Sequence, residues 1–131
     1  MAAKIILVYT SILINYYRKT DKANSIWAKL VRQEYQFSLS AITKYEIYSG
    51  AAKSQLDFWN NVLQAIKVIP FDEICPNKAV EINAALKRKR KQIGIADLFI
   101  ASTALTNNLP IATINKKHFD RIDSFEIIDI Q

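Results

Sequence analysis

Short apolar runs alternate along this chain with longer stretches in which apolar residues recur every three or four positions. The first run, Ile5–Val8, is continuously apolar rather than alternating. Such a run is typical of a strand that is buried on both faces, as in the middle of a parallel sheet. Four further runs predict strands, at residues 35–40, 67–71, 110–114 and 125–130.

The stretches between these runs have the three-four spacing of amphipathic helices. They predict helices at residues 11–19, 22–33, 41–49, 54–65, 76–91 and 96–106, and a short helical turn at 117–121. Asp21 and Ser40 are predicted to cap two of these helices, and Gly50 to end one in the left-handed conformation. Strands that alternate with helices predict right-handed crossovers. The expected fold class is α/β, with a single domain over residues 1–131 and a five-stranded parallel sheet that carries helices on both faces.

Composition excludes several classes of protein. The 131 residues suffice for one domain with a hydrophobic core. Cys75 is the only cysteine, which excludes an internal disulfide and a cysteine-based zinc site and fits a reducing cytoplasm. No apolar run approaches the roughly 18–20 residues of a membrane helix, and the first run is interpreted as a strand rather than a signal peptide. We therefore expect a cytoplasmic protein without a membrane partner.

Polar residues that could carry chemistry follow the predicted strands. Tyr9 and Thr10 come directly after the first strand, and Glu46 lies in the helix after the second. Asp97 lies in the first turn of an otherwise apolar helix. Taken singly, Asp97 could stabilise its helix dipole and Glu46 could lie on a solvated face. However, the carboxyl ends of parallel strands share one edge of a sheet, so these side chains can converge there. Converging carboxylates without a histidine or cysteine partner suit Mg²⁺ or Mn²⁺, which can activate water against a phosphodiester.

Four short motifs occur in order along the chain: Thr10-Ser11 after the first strand, Ile42-Thr43 with Glu46 and Gly50, the segment IADLFIA at 95–101, and Thr113-Ile114-Asn115 followed by His118-Phe119. Together they resemble the PIN domain, and specifically the VapC toxins of VapBC toxin–antitoxin modules. The resemblance implies a five-stranded parallel sheet and a metal-dependent endoribonuclease with Mg²⁺ or Mn²⁺ as its cofactor. It also implies a homodimer, and inhibition by a cognate VapB-like antitoxin whose tail occupies the active-site groove.

Residue by residue, the resemblance implies the composition of a metal site. Glu46 and Asp97 match two of the family's metal-site acids. Asn115 matches a further position, which varies between Asp and Asn in the family and is expected to act through water. Thr10 and Thr113 match the small hydroxyl residues beside the site.

Tyr9 departs from this pattern, because it stands where the family has an Asp that ligates the metal directly. Tyrosine is a neutral phenol with a pKa of about 10, which makes it a poor ligand for Mg²⁺. We therefore expect a site that binds the cation weakly and cleaves RNA slowly or not at all. Two interpretations follow. One is an inactivating substitution in an otherwise intact toxin, since Asp and Tyr codons differ by one base. The other is a naturally non-catalytic PIN-like module that binds RNA or a protein partner.

The net charge of +6 permits a polyanionic partner, although solubility alone explains such a charge equally well. Five consecutive basic residues end one predicted helix: Lys87, Arg88, Lys89, Arg90 and Lys91. One interpretation of this run is a favourable interaction with the helix dipole. The other is contact with RNA phosphates, to which Lys116, Lys117 and Arg121 could contribute. His118 is the only histidine, and we assign it to the surface or to structural hydrogen bonding.

Overall fold

A four-stranded parallel sheet forms the centre of the molecule. The computed structural model describes residues 3–130. Its strands are β1 (Ile5–Val8), β2 (Gln36–Ser40), β3 (Lys67–Ile69) and β4 (Ile111–Ala112), in the spatial order β3-β2-β1-β4. All neighbouring pairs of strands are parallel. The predicted α/β class and the parallel sheet are therefore confirmed, and all four strands end at the same edge.

The fifth strand predicted at residues 125–130 shortens to one isolated parallel bridge between Ile111 and Ile127. Two hydrogen bonds make this bridge, from the Ile111 N–H to the Glu126 carbonyl and from the Ile128 N–H to the Ile111 carbonyl. β4 is only two residues long, and the carbonyls of Pro110 and Ala112 are turned to β1, where they accept from the Leu7 and Tyr9 N–H groups. Within β4, only Ile111 therefore presents its backbone groups to residues 125–130, which limits the pairing to one bridge.

Helices cover the sheet in an order close to the predicted one. They are α1 (Thr10–Arg18), α2 (Ile26–Arg32), α3 (Ala41–Gly50), α4 (Leu56–Leu63), α5 (Cys75–Arg88), α6 (Ile95–Thr106) and α7 (Lys116–Phe119), with 3₁₀ turns at Lys22–Asn24 and Lys53–Gln55. No helix in the described part of the chain is both long and apolar enough to cross a bilayer.

Polar caps explain where several helices begin and end. Ser40 caps α3 as predicted, because its hydroxyl accepts a hydrogen bond from the Thr43 N–H. The helix predicted at residues 22–33 is divided, since Asp21 caps only the first 3₁₀ turn and the buried Ser25 caps α2. The left-handed conformation predicted for Gly50 is wrong, because φ is not positive at either glycine. α3 instead ends when the chain becomes extended directly after Gly50.

β1 separates two apolar clusters, one on each face of the sheet. Ile6 and Val8 join the cluster formed with α1, α2 and α4. Leu7 and Tyr9 join the cluster formed with α5 and α6. This alternation is the two-residue period of a strand. It confirms that helices cover both faces, and it directs Tyr9 towards α6.

The burial of β1 predicts that two adjacent isoleucines contribute very differently to the free energy of unfolding. Ile6 is fully buried, whereas Ile5 is 47% exposed at the start of the same strand. Ile6→Ala should lower the free energy of unfolding by about 2–5 kcal/mol, because it leaves a cavity in the central strand. Ile5→Ala should lower it by about 1 kcal/mol or less. Urea titrations measure both values, and equal losses would contradict this assignment of the two faces.

Candidate functional site

Four of the predicted site residues lie at the carboxyl edge of the sheet. Tyr9 directly follows β1, Glu46 lies on α3 after β2, and Asp97 lies in the first turn of α6. Asn115 follows β4 and precedes α7. A groove of about 620 Å³ opens here, and Tyr9, Glu46 and Asn115 are among the residues that line it. The parallel topology explains this gathering, since each strand delivers the segment after it to the same edge.

Asp97 is held by donors from two distant parts of the chain. The Tyr9 hydroxyl donates to Asp97 Oδ1 at 2.5 Å, and His118 Nδ1 donates to Asp97 Oδ2 at 2.7 Å. The side chain of Asp97 is 14% exposed, whereas that of His118 is 46% exposed. Structural hydrogen bonding by His118 is therefore confirmed. The sequence did not indicate that its partner is the acid at the site.

The surroundings of Tyr9 keep its phenol neutral. Tyr9 is 7% exposed, and burial raises the pKa of its hydroxyl above the ordinary value of about 10. The hydrogen bond to Asp97 and the negative charges of Asp97 and Glu46 raise this pKa further, while the Asn115 side chain opposes them. The ring of Tyr9 also packs edge-on against Phe119, with 5.0 Å between the ring centroids. Tyr9 therefore acts as a hydrogen-bond donor and not as an anionic ligand.

Thr10 orients the second acid. Its Oγ1 donates to Glu46 Oε1 at 2.8 Å and lies 3.1 Å from Thr43 Oγ1. Thr43 is fully buried, and its N–H donates to the hydroxyl of Ser40, the residue that caps α3. The contact between Thr10 and Thr43 therefore ties α1 to α3 beside Glu46. Thr43 supports the site, although the sequence pattern alone gave it no role there.

Thr113 differs from the other predicted site residues, because it is fully buried. Its Oγ1 accepts a hydrogen bond from the Asn115 N–H at 2.9 Å. The Ser11 hydroxyl accepts another from the Ile114 N–H at 3.1 Å. These two hydrogen bonds fix the turn that presents Asn115 to the groove. The contacts of Thr113 thus support a positioning role.

The donor set does not fit a Mg²⁺ or Mn²⁺ ion as it stands. Among residues 3–130, no three His, Cys, Asp or Glu side chains are grouped so that they could hold a metal ion. Glu46 and Asp97 supply carboxylates, but the position beside them holds the neutral Tyr9 hydroxyl, whose proton is directed at Asp97. A hard dication prefers several oxygen ligands with carboxylates among them. The described residues thus supply two carboxylates and a neutral phenol at this edge of the sheet.

The basic run at residues 87–91 and Lys116 lie outside the set of residues that line the site groove. Lys89 instead pairs with Asp123 at 2.9 Å. Lys116 lies 3.8 Å from Asp129. Residues that are adjacent in a basic run thus face different surroundings, because the run spans the end of α5 and the turn that follows it.

Two basic residues that sequence analysis missed, Arg18 and Lys19, do line the groove. Both are exposed at the end of α1. Ser11 and Asn15 line the groove as well, and together with Arg18 they have the four-three spacing of one helix face. The signal that could have found Arg18 is therefore the helix face that begins directly after Tyr9.

The neutral state of Tyr9 predicts a tyrosine that resists ionisation. Between about pH 9 and pH 11 its hydroxyl should stay protonated, while free tyrosine amide titrates near pH 10. Because the folded pKa is raised, the unfolded chain loses this proton first. The stability contributed by Tyr9 is therefore complete below about pH 10 and declines above it. Carbon-13 NMR of the tyrosine rings measures the protonation state, with Tyr9→Phe identifying the signal. Titration of that signal at or below the pH of free tyrosine would contradict the assignment.

The sequence of this chain is similar to those of proteins named as ribonucleases. The PIN domain family matches residues 6–124. The chain is 31% identical over 121 residues to Ribonuclease VapC1 of Methanocaldococcus jannaschii, a match that covers 92% of this chain and 82% of that protein. It is 26% identical over 123 residues to Ribonuclease VapC10 of Mycobacterium tuberculosis, a match that covers 93% of this chain and 91% of that protein.

The fold is similar to that of a solved relative as well. The structure of VapBC-1 from nontypeable Haemophilus influenzae superposes with a TM-score of 0.81 at 26% identity, over 95% of this chain and 97% of that chain. The family match at residues 6–124 includes the residues that line the groove, from Tyr9 to Asn115. The chain therefore belongs to the PIN domain family, among relatives named VapC ribonucleases.

Proposed function

We propose that this chain is a VapC-type endoribonuclease toxin whose catalytic site is impaired by Tyr9. The observation that carries the proposal is the hydrogen bond from the Tyr9 hydroxyl to Asp97 at 2.5 Å. It lies beside a groove lined by Glu46, and the charges of both acids act on Tyr9. Mg²⁺ or Mn²⁺ is the proposed cofactor of an active form, in which an Asp at position 9 acts with Glu46 and Asp97. Asn115 contributes to that site through water.

The convergence of Glu46 and Asp97 supports the nuclease part of the proposal. A helix dipole stabilises an acid in the first turn by about 0.3–1 kcal/mol, which explains one carboxylate such as Asp97. It does not explain why a second carboxylate meets the same edge of the sheet from another helix. Like charges in one site repel each other unless a cation or donors compensate. A cation site in the proposed active form accounts for both acids together, whereas in this chain donors from Tyr9, His118 and Thr10 compensate them.

Tyr9 is proposed to impair this site by its charge and by its volume. For its oxygen to act as an anionic ligand at pH 7, the hydroxyl must first lose its proton. With an ordinary phenol pKa of about 10, this loss costs about 4 kcal/mol at pH 7, and the raised pKa of Tyr9 increases the cost. The ring also fills space that a shorter Asp side chain leaves open. The other site residues stay in place, so we expect impairment without loss of the fold.

The proposed partners come from the same relatives. The similar structure from Haemophilus influenzae is that of VapBC-1, so we expect a VapB-like antitoxin to bind this chain and to cover the groove. RNA is the proposed substrate, a homodimer the proposed assembly and the cytoplasm the proposed location. Exposed apolar side chains offer surface for such contacts, among them Val31, Tyr45, Val80 and Ile95.

A second candidate function is a non-catalytic PIN module that binds RNA or a protein partner without cutting. The observation that favours it is the fit of Tyr9, which is 7% exposed and packs edge-on against Phe119 while it donates to Asp97. A buried tyrosine with a satisfied hydroxyl is an ordinary constituent of a stable core. The two candidates agree on the fold and differ in the effect of restoring an acid at position 9.

Restoring that acid should restore cleavage. Tyr9→Asp should cut total RNA in Mg²⁺ or Mn²⁺ and stop in EDTA, because a third carboxylate joins Glu46 and Asp97. We expect a rate gain on the order of 10²–10³ over the parent chain, comparable with the effect of one charge-stabilising group in other active sites. Gel electrophoresis of the RNA over time measures this gain.

Tyr9→Phe is the matched control, since it removes the same hydroxyl without adding a carboxylate, and it should remain inert. Combining Tyr9→Asp with Asp97→Asn should abolish the gain. A folded Tyr9→Asp variant that is as inert as the parent chain would favour the second candidate. Metal-dependent cutting by the parent chain at the rate of Tyr9→Asp would contradict impairment.

Metal binding has a readout of its own that needs no cleavage. A ligand that binds only the folded chain stabilises it by about 2.7 kcal/mol at a hundredfold excess over its Kd. Mn²⁺ should therefore raise the Tm of Tyr9→Asp by several degrees, on the order of 5 °C or more. The Tm of the parent chain and of Tyr9→Phe should stay within about 1 °C of the value in EDTA. Scanning calorimetry measures all three, and an equal rise in each would mean that the ion binds elsewhere.

A further inference from the structure

A cluster of basic side chains lies beside α7, outside the site groove. Arg90, Lys91, Lys117 and Arg121 line a pocket of about 390 Å³, which we call the basic pocket, and Asp120 is the one acid among its lining residues. Within residues 3–130, none of these four cations forms an ion pair with a carboxylate. The basic pocket therefore carries positive charge that the described chain does not neutralise.

The backbone fixes the shape of the basic pocket. Arg90 has a φ of 55°, the left-handed conformation in which glycine is usual after a helix. The Lys91 N–H donates back to the Leu86 carbonyl at 3.0 Å, which closes the end of α5. Arg121 Nη1 reaches the Lys91 carbonyl at 3.4 Å. Arg121 thereby holds the turn after α5 against the segment that follows α7.

The basic pocket is connected to the acidic centre through α7. Lys117 precedes His118, and His118 Nδ1 donates to Asp97 at 2.7 Å. Arg18 and Lys19 belong to the site groove, which shares no lining residue with the basic pocket. Basic side chains thus lie in two separate places, one at the end of α1 in the site groove and one beside α7, where Lys117 is next to His118 in the sequence.

We propose that the basic pocket binds phosphate groups of single-stranded RNA, and that Arg18 and Lys19 hold the same strand at the site groove. The choice of RNA rests on the proposed function. The phosphate chemistry rests on the charges, because basic side chains that meet a phosphate backbone release its condensed counterions. Carboxylates at the centre repel phosphates. A strand can therefore lie across the centre only if cations attract it on either side.

Fluorescence anisotropy tests this proposal on the full chain. The probe is a labelled oligouridine of about twelve nucleotides, measured in EDTA from about 50 to about 300 mM KCl. The variant Arg90→Gln/Lys91→Gln/Lys117→Gln removes three charges from the basic pocket and keeps Arg121, which braces the turn. It should bind roughly a hundredfold more weakly at about 0.1 M KCl, with a log–log salt slope shallower by about 2, since each contact to a single strand contributes about 0.7.

The matched control is Lys87→Gln/Arg88→Gln/Lys89→Gln, which removes the same charge from the same basic run but outside the basic pocket. Its affinity should stay within about threefold of the parent value, and its salt slope should change little. Equal losses in the two triple variants would overturn the proposal in favour of a diffuse charge effect. Unchanged binding by the pocket variant would overturn it outright.

Arg18→Gln/Lys19→Gln tests the second contact of the strand. Its salt slope should be shallower than that of the parent chain by about 1.4. This change should add to that of the pocket variant when the two sets of substitutions are combined. Loss of binding in this variant alone would mean that the groove holds the strand without the basic pocket.

Poly-glutamate of matched charge separates RNA from an acidic protein segment. Unlabelled oligouridine should displace the probe, and equal displacement by poly-glutamate would overturn the assignment to RNA. All of these measurements use the parent residue at position 9 and no metal. A Tyr9→Asp variant that fails to cleave would therefore remove the proposed function and leave the binding result intact.

Discussion

The hydrogen bond from the Tyr9 hydroxyl to Asp97 is the interaction on which the site depends. It joins the end of the central strand to the first turn of α6. An aspartate that is 14% exposed at the start of an apolar helix destabilises the fold unless donors replace the lost water. Tyr9 and His118 supply those donors, one at each carboxylate oxygen. The negative charge is thereby satisfied by the protein itself, without a cation.

Under the proposed function, the same interaction stabilises the fold at the expense of catalysis. A metal-dependent site gathers carboxylates, and their mutual repulsion opposes folding until a cation is bound. The neutral phenol of Tyr9 adds no third negative charge to those of Glu46 and Asp97, as the Asp of the proposed active form would. The ring adds an edge-on contact with Phe119. Substitutions that raise the stability of an active site commonly lower its activity. The proposed function therefore assigns the change in the chemistry of the groove to one side chain, within a fold that matches the PIN domain family.

Structural features that depend on adjacent residues in the sequence could be predicted. Features that depend on which segments pack together in the fold could not. The continuous apolar run of β1 and the Ser40 cap are local, and both are confirmed. The strand predicted at residues 125–130 depended on its neighbour β4, which is two residues long and presents only the backbone groups of Ile111 to that side. The acids were predicted to meet at one sheet edge because parallel strands end there. The contact between His118 and Asp97 depends on how α7 packs, and no spacing in the sequence encodes it.

Basic residues that are adjacent in the sequence are not all adjacent in the folded protein. The positions of the charges in the folded protein govern how an RNA strand can bind at this site. The centre of the edge is acidic, so a phosphate placed on Glu46 or Asp97 is repelled unless a cation intervenes. Attraction has to come from cations displaced from the centre, as Arg18 and Lys117 are. A basic run at a helix end cannot supply it as a unit, because a helix directs successive side chains to different sides. RNA binding would then depend on the flanking cations and cleavage on the acidic centre. A change at Tyr9 could therefore abolish cleavage without weakening RNA binding.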